Sequence, residues 1–288
     1  MRRVLLAALL ALSLAACGGE GAPREIRFTA IPDQNTTELT RKFAPVAEYL
    51  AKRIGHPVAY VPSRDYQASV EMFRNGDVLL AWFGGLTGVQ ACAAVAGAEP
   101  LVMGEEDRAF YSLFIAHRDA GLEPSEAFPL GLAGKRFTFG SNSSTSGRLM
   151  PEAFILERTG KTAEQFFTSP PGFSGSHDKT AELVAGGQVE AGVLNYEVYD
   201  RRVKEGKLDP EVVRVIWKTP TFADYHMVAH PDLEKLFGAG TTARLKEALL
   251  AMDDPALLAA FGRRRMIPAS AGDFDGIRTV AEKLGMLR

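Results

Sequence analysis

Cysteine is scarce in this chain, two in 288 residues, and neither sign of charge dominates: the formal net charge is −2. So balanced a composition offers no basic footprint for nucleic acid. Beyond residue 14 no apolar run reaches bilayer-crossing length, so the body of the chain is expected to be soluble. No internal repeat is present. Motifs that carry chemistry are thin as well. Gly160-Lys161-Thr162 ends like a phosphate-binding P-loop, but Ile155 stands where the first glycine belongs, and the segment follows a helical run. His226 and His230 stand four apart in a strand-like run with no cysteine nearby, which argues against a metal site. Serine, histidine and aspartate are all available, yet no serine sits in a G-x-S-x-G elbow. A secreted serine hydrolase is therefore only a weak alternative, and no cofactor is expected.

What is present begins at the N-terminus. Arg2 and Arg3 precede an apolar run from Val4 to Leu14, too short for a mature membrane span and placed as in a signal peptide. The run ends in Leu14-Ala15-Ala16-Cys17, which resembles the bacterial lipoprotein lipobox. That resemblance implies export directed by residues 1–17, with lipidation at Cys17 and attachment at the periplasmic face of the cell envelope by lipid alone. Residues 18–23, rich in glycine and small side chains, read as a tether. Cys92 is then left without a partner, so stability must come from burial rather than a disulfide. With 46% hydrophobic residues, the chain can build sizeable cores in two domains.

From Arg24 onward short apolar strands alternate with amphipathic helices, the pattern of an α/β fold with largely parallel sheets. "IRFTAIP" reads as a first strand. Leu39, Phe43, Val46 and Leu50 follow at helical spacing, with Pro45 near a first turn and Gly55 as a stop. "VLLAWFGG" is a buried strand entering a glycine turn. "KRFTFGS", "VEAGVLNY", "VVRVIWKTP" and "DYHMVAH" are further strands, and residues 231–288 read as helices broken at Gly238, Pro255 and Pro268.

Two helix starts are unusually polar. In "FGSNSSTSGRLMP" hydroxyl and amide side chains from Ser141 to Ser146 lie between a strand and a helix. In "SGSHDKT", Ser174, Ser176, His177 and Asp178 lie on a glycine-flexed loop before another helix. Each fits plain N-capping, with Asp178 as a favourable N-terminal charge; each also fits a small anion held by helix N–H groups and hydroxyls. Their position past neighbouring strands favours a ligand site, because open α/β sheets bind at the carboxyl ends of their strands. By the same logic Asp33, Gln34, Asn35 and Gly84-Gly85 are cleft candidates.

"DYQASVEMFRNGDVLLAWFGGLTGVQA", "STSG", "GSHD" and "VIWKTP" resemble, in order and over nearly all of the mature chain, the phosphonate-, phosphite- and phosphate-binding solute receptors of bacterial ABC importers. "IPDQNTTEL", "AWFGGLTGVQA", "FGSNSSTSGRLMPE" and "GFSGSHD" are similar more narrowly to a branch named for selenate transport. The resemblance implies a type II periplasmic-binding fold, a two-lobe Venus flytrap whose α/β lobes are joined by two crossover segments. Lobe one would comprise residues 24–112 and 220–288, and lobe two residues 113–219. The crossings are expected near 110–116 and 216–224. It implies no enzymatic step: the ligand passes to an ABC permease with its ATPase, or, in the alternative, is reported to a sensor kinase.

Carried over by position, the family's anion cradle falls on Ser144, Thr145 and Ser146, its histidine donor on His177, and a clamping tyrosine on Tyr66. The acidic positions that hold an amino group in aminophosphonate binders fall on Glu197 and Asp224. Where many members have a tyrosine entering the first crossover strand this chain has Phe110, with Tyr111 adjacent and on the opposite face of a regular strand. Selenate is a dianion without a proton to donate near neutrality, so a nearby carboxylate opposes it, whereas a hydrogen phosphonate or phosphite can use one.

Overall fold

The computed structural model describes residues 24–287; Cys17, the lipobox and the tether lie outside them. Eleven strands form two sheets among the described residues. The first contains β1 (Ile26–Ala30), β2 (Val58–Tyr60), β3 (Leu80–Phe83), β4 (Glu99–Gly104), β10 (His226–Ala229) and β11 (Met266–Pro268), in the order β11-β4-β10-β3-β1-β2. The second contains β5 (Ser112–His117), β6 (Phe137–Phe139), β7 (Gly172–Phe173), β8 (Ala191–Asn195) and β9 (Val213–Lys218), in the order β7-β6-β8-β5-β9. The sheets are mixed rather than largely parallel: β1 pairs in parallel with β2 and β3, and β6 with β7 and β8, while β11 pairs antiparallel with β4 and β9 antiparallel with β5. The strand that arrives from the other lobe inserts antiparallel: β5 against β8, β10 against β3 and β4.

Helices cover these sheets: α1 (Thr36–Ile54), α2 (Tyr66–Arg74), α3 (Gly85–Ala94), α4 (Met150–Thr159), α5 (Ala163–Phe166), α6 (His177–Ala185), α7 (Tyr196–Lys204), α8 (Asp232–Phe237), α9 (Thr241–Leu250), α10 (Pro255–Phe261) and α11 (Asp275–Lys283). None is long and apolar enough to cross a membrane. Helix α1 begins earlier than the hydrophobic spacing suggests. The Asn35 side chain accepts the Thr37 and Glu38 N–H groups, so Pro45 lies mid-helix and leaves the Arg41 carbonyl without its helical partner. The other departure is β11, three residues within a stretch that reads as helical; it pairs antiparallel with β4.

The segments linking the lobes, residues 105–111 and 219–225, run side by side. Phe110 and Phe222 exchange two backbone hydrogen bonds, at 2.9 and 2.8 Å, and both side chains are buried. Residues 112–116, expected within the first crossing, form part of β5 in the second sheet instead. The first segment is a short 3-10 turn, Glu105–Ala109, followed by an extended Phe110; two adjacent linkers with few backbone bonds between them are the arrangement that lets two rigid lobes rotate.

Candidate functional site

The polar turn after β6 is tied down locally. Gly140 and Gly147 approach so closely that a Cβ on Gly140 would stand 3.2 Å from the Gly147 Cα, and the Gly140 N–H donates to the Gly147 carbonyl at 2.8 Å. The Ser144 Oγ accepts the Gly147 N–H at 2.9 Å, capping a π-helical turn, Thr145–Leu149, that leads into α4. Capping uses only the acceptor side of this hydroxyl, so its proton remains free to donate outward. Ser144, Thr145 and Ser146 are all buried, where a hydroxyl must find a hydrogen-bond partner.

His177 opens α6, capped by Ser176, and is buried. Its Nδ1 accepts the Asn195 N–H at 3.3 Å, so in the neutral ring the proton sits on Nε2, the nitrogen 3.5 Å from Ser146 Oγ. Burial pushes the imidazole down to about 4, with Asp178 acting weakly the other way, so the ring is a neutral donor across the physiological range. Four polar groups of the second lobe thus converge.

The first lobe closes on them. Asp65 caps α2 through the Ala68 N–H, setting Tyr66 in the first turn with its hydroxyl fully buried and without a hydrogen-bond partner. Past β3, the Gly85 N–H donates to Asp224 Oδ1 and the Leu86 N–H to Thr145 Oγ1, both at 2.9 Å. Gly84 makes this approach possible: a Cβ there would lie 3.1 Å from Asp224 Oδ1 and 3.2 Å from Thr145 Oγ1. Asp224 is buried and its Oδ2 has no partner. Burial raises its carboxyl to about 7; the Gly85 N–H and the neighbouring Thr145 and Ser146 hydroxyls offset this in part, and Asp107 adds to it.

Further bonds between the lobes surround this centre. The Asp33 carbonyl accepts the His177 N–H at 3.2 Å, and its carboxylate accepts the Tyr225 hydroxyl at 2.8 Å, which in turn accepts from Asn195 Nδ2 at 3.1 Å. The Asn35 N–H donates to Asp178 Oδ2 at 3.2 Å. Burial opposes charge on Asp178, but Arg201 and Arg202 outweigh it and hold the carboxyl below its ordinary value. Asp178 therefore does more than favour its helix terminus: it also accepts a backbone donor from the opposite lobe.

Of the sequence candidates, Ser144, Thr145, Ser146, His177, Tyr66 and Asp224 come together. Three do not. Gln34 lies at the outer mouth, accepting from Lys42 Nζ at 2.7 Å beside a cavity of about 580 Å³. Tyr111 stacks on Tyr196 at 4.2 Å, with Lys218 Nζ 3.8 Å above it, and Tyr196 also packs on the buried ring of Phe110 at 4.9 Å. Glu197 is engaged by Arg263. Sequence reasoning missed Asn195 and Tyr225; the strand-end N-cap pattern of "LNYE" marks the first, and adjacency to Asp224 the second. Among the described residues no group of three His, Cys, Asp or Glu is arranged to hold a metal ion. Cys92 is half-buried, its thiol pushed up to about 11 by burial.

The family model described as "ABC transporter, phosphonate, periplasmic substrate-binding protein" matches residues 28–274. A probable ABC transporter phosphite binding protein, PhnD1, of Prochlorococcus marinus (strain MIT 9301) is 37% identical over 273 residues, 92% of each chain. The phosphate-import protein PhnD of Mycolicibacterium smegmatis is 29% identical, covering 97% of this chain and 94% of that one. The solved structure of the Prochlorococcus PhnD1 in complex with methylphosphonate superposes with a TM-score of 0.86 at 36% identity, over 92% of this chain and 99% of that one. These matches are to binding proteins rather than enzymes, and two α/β lobes meeting over a buried set of donors are what such a receptor requires. The chain belongs to the phosphonate-binding family of periplasmic substrate-binding proteins of ABC transporters.

Proposed function

We propose that the cleft captures a small phosphonate or phosphite anion and delivers it to an ABC permease with its ATPase. Ser144, Thr145, Ser146 and the Nε2–H of His177 donate from one lobe, and the Tyr66 hydroxyl donates from the other. The observation that carries the reading is Asp224: a buried carboxyl oxygen without a partner, on a group raised to about 7, set against these donors. Such a group accepts a hydrogen bond from an anion that retains a proton, as hydrogen phosphite and hydrogen methylphosphonate do near neutrality. Sulfate and selenate bring no proton, so Asp224 must first be protonated to admit them. Selenate, the narrower expectation, finds no support among the relatives described above. Export followed by lipid attachment at Cys17 completes the reading at the periplasmic face.

The test is titration calorimetry on protein stripped of ligand by unfolding and refolding, against phosphite, methylphosphonate, phosphate, sulfate, selenate and selenite. Tight binding of phosphite or methylphosphonate with weak sulfate and selenate is expected. Tight selenate with weak phosphonate overturns the reading.

A further inference from the structure

Behind the anion cradle lies a recess with the composition of a cation receptor, and the protein fills it with its own side chain. The guanidinium of Arg263 lies 4.9, 5.3 and 5.8 Å from the ring centroids of Tyr225, Phe110 and Trp82. It donates to both carboxylate oxygens of Asp107, at 2.6 and 2.7 Å, and also to Glu197. Aromatic faces with desolvated carboxylates make a strong site for an organic cation. Arg263, Asp107 and the three rings are buried, and Glu197 is partly exposed.

The recess adjoins the anion site. Tyr225 follows Asp224 directly, and Asp107 accepts the backbone N–H groups of both, Asp224 through its carbonyl at 3.1 Å and Tyr225 through its carboxylate at 3.2 Å. The Tyr225 ring, 4.9 Å from the Arg263 guanidinium, thus links the filled recess to Asp224 at the anion site. The cavity bordered by Trp82, Glu197 and Tyr225, three of the side chains around Arg263, holds only about 10 Å³, room for no more than a water.

We propose that Arg263 is a specificity-determining residue that acts as a built-in competitor for ammonium-bearing ligands, restricting the cleft to phosphonates whose substituent is hydrogen or a small apolar group. The inference rests on the reading of the cleft as a phosphonate or phosphite site. Glu197 bridges the lobes to Arg263, so an aminoalkyl phosphonate must displace a buried, bidentate guanidinium or leave its own ammonium unpaired beside it. Both outcomes are unfavourable.

The experiment compares methylphosphonate with 2-aminoethylphosphonate by calorimetry on ligand-free protein. In the unmodified chain the aminoethyl compound is expected to bind at least about 100-fold more weakly, the cost of an uncompensated buried charge. In Arg263→Ala the ratio should shift toward 2-aminoethylphosphonate by at least about tenfold, and methylguanidinium should reverse the shift by refilling the recess. Arg263→Lys, which keeps a cation in place, should retain the discrimination. If Arg263→Ala yields no folded protein, Arg263→Gln frees Glu197 while still donating to Asp107 and carries the same expectation. Equal binding of the two compounds by the unmodified chain, or an unchanged ratio in the folded variants, overturns the proposal. Failure of the unmodified chain to bind methylphosphonate or phosphite at all overturns the reading of the cleft instead.

Discussion

Replacing Asp224 with asparagine keeps the shape of the side chain and its acceptance of the Gly85 N–H, but turns the unpartnered Oδ2 from an acceptor into a donor. At pH 7, where hydrogen methylphosphonate predominates and the native carboxyl, at about 7, is half ionised, a charge-assisted hydrogen bond is lost, worth about 1.5–3 kcal/mol or about ten- to hundredfold in Kd. Sulfate and selenate behave oppositely. At pH 8 the native carboxyl, at about 7, must be protonated before a dianion enters, which costs about 1.4 kcal/mol for one pH unit. Asp224→Asn removes that cost, so sulfate and selenate should bind about tenfold more tightly than to the unmodified chain. Calorimetry at both pH values, in buffers of different ionisation enthalpy to count protons exchanged, measures the two effects together. A common shift of both ligand classes, or no shift of either, refutes the assignment of Asp224 as the group that shares the ligand's proton.

The other expectations concern the donors, the closure and the pH response. Thr145→Ala combined with His177→Ala should weaken binding by about 3–6 kcal/mol if two hydrogen bonds to a charged ligand are lost; unchanged calorimetric affinity would put the ligand elsewhere. Gly84→Ala places a methyl against Asp224 and Thr145 and should cost about 1–3 kcal/mol of binding, with little change in the melting temperature, since the clash arises where the lobes meet. Asp224 and His177 should give the ligand-free protein stability profiles of opposite sign. The Asp224 carboxyl rises from 3.8 to about 7, so the folded form binds more protons and stability falls as pH climbs through that window. The His177 imidazole drops from 6.5 to about 4, so its contribution is complete above about 6.5 and is lost as pH falls toward 4. Thermal melts against pH should lose the first limb in Asp224→Asn and the second in His177→Gln; a limb that persists in its variant belongs to another group.

Much of this was legible in the chain because it is local. Strand and helix alternation follows from side-chain period, and the caps at Asn35, Asp65, Ser144 and Ser176 are short-range hydrogen bonds announced by residue type. Hence the cradle from Ser144 to Ser146 and the His177 loop stood out as polar helix starts after strands. The order of the strands did not stand out: β11 is too short to show a period, and the middle positions of β10 and β5 depend on where the chain crosses between lobes. Nor could spacing show which face Tyr111 takes, or that Gln34 stays at the mouth.

What the sequence by itself determined is the α/β class, through strand and helix alternation, the family, through resemblance, and the two polar helix starts at residues 141–146 and 174–178. What only the tertiary structure decided is which charges meet. Glu197 and Asp224 read alike in the sequence, two acidic residues near strand ends. In the folded chain Glu197 is claimed by Arg263, 66 positions away, while Asp224 keeps an oxygen free among the donors. Desolvation and pairing are properties of a three-dimensional environment, assembled from segments far apart in the chain, and no local pattern encodes them.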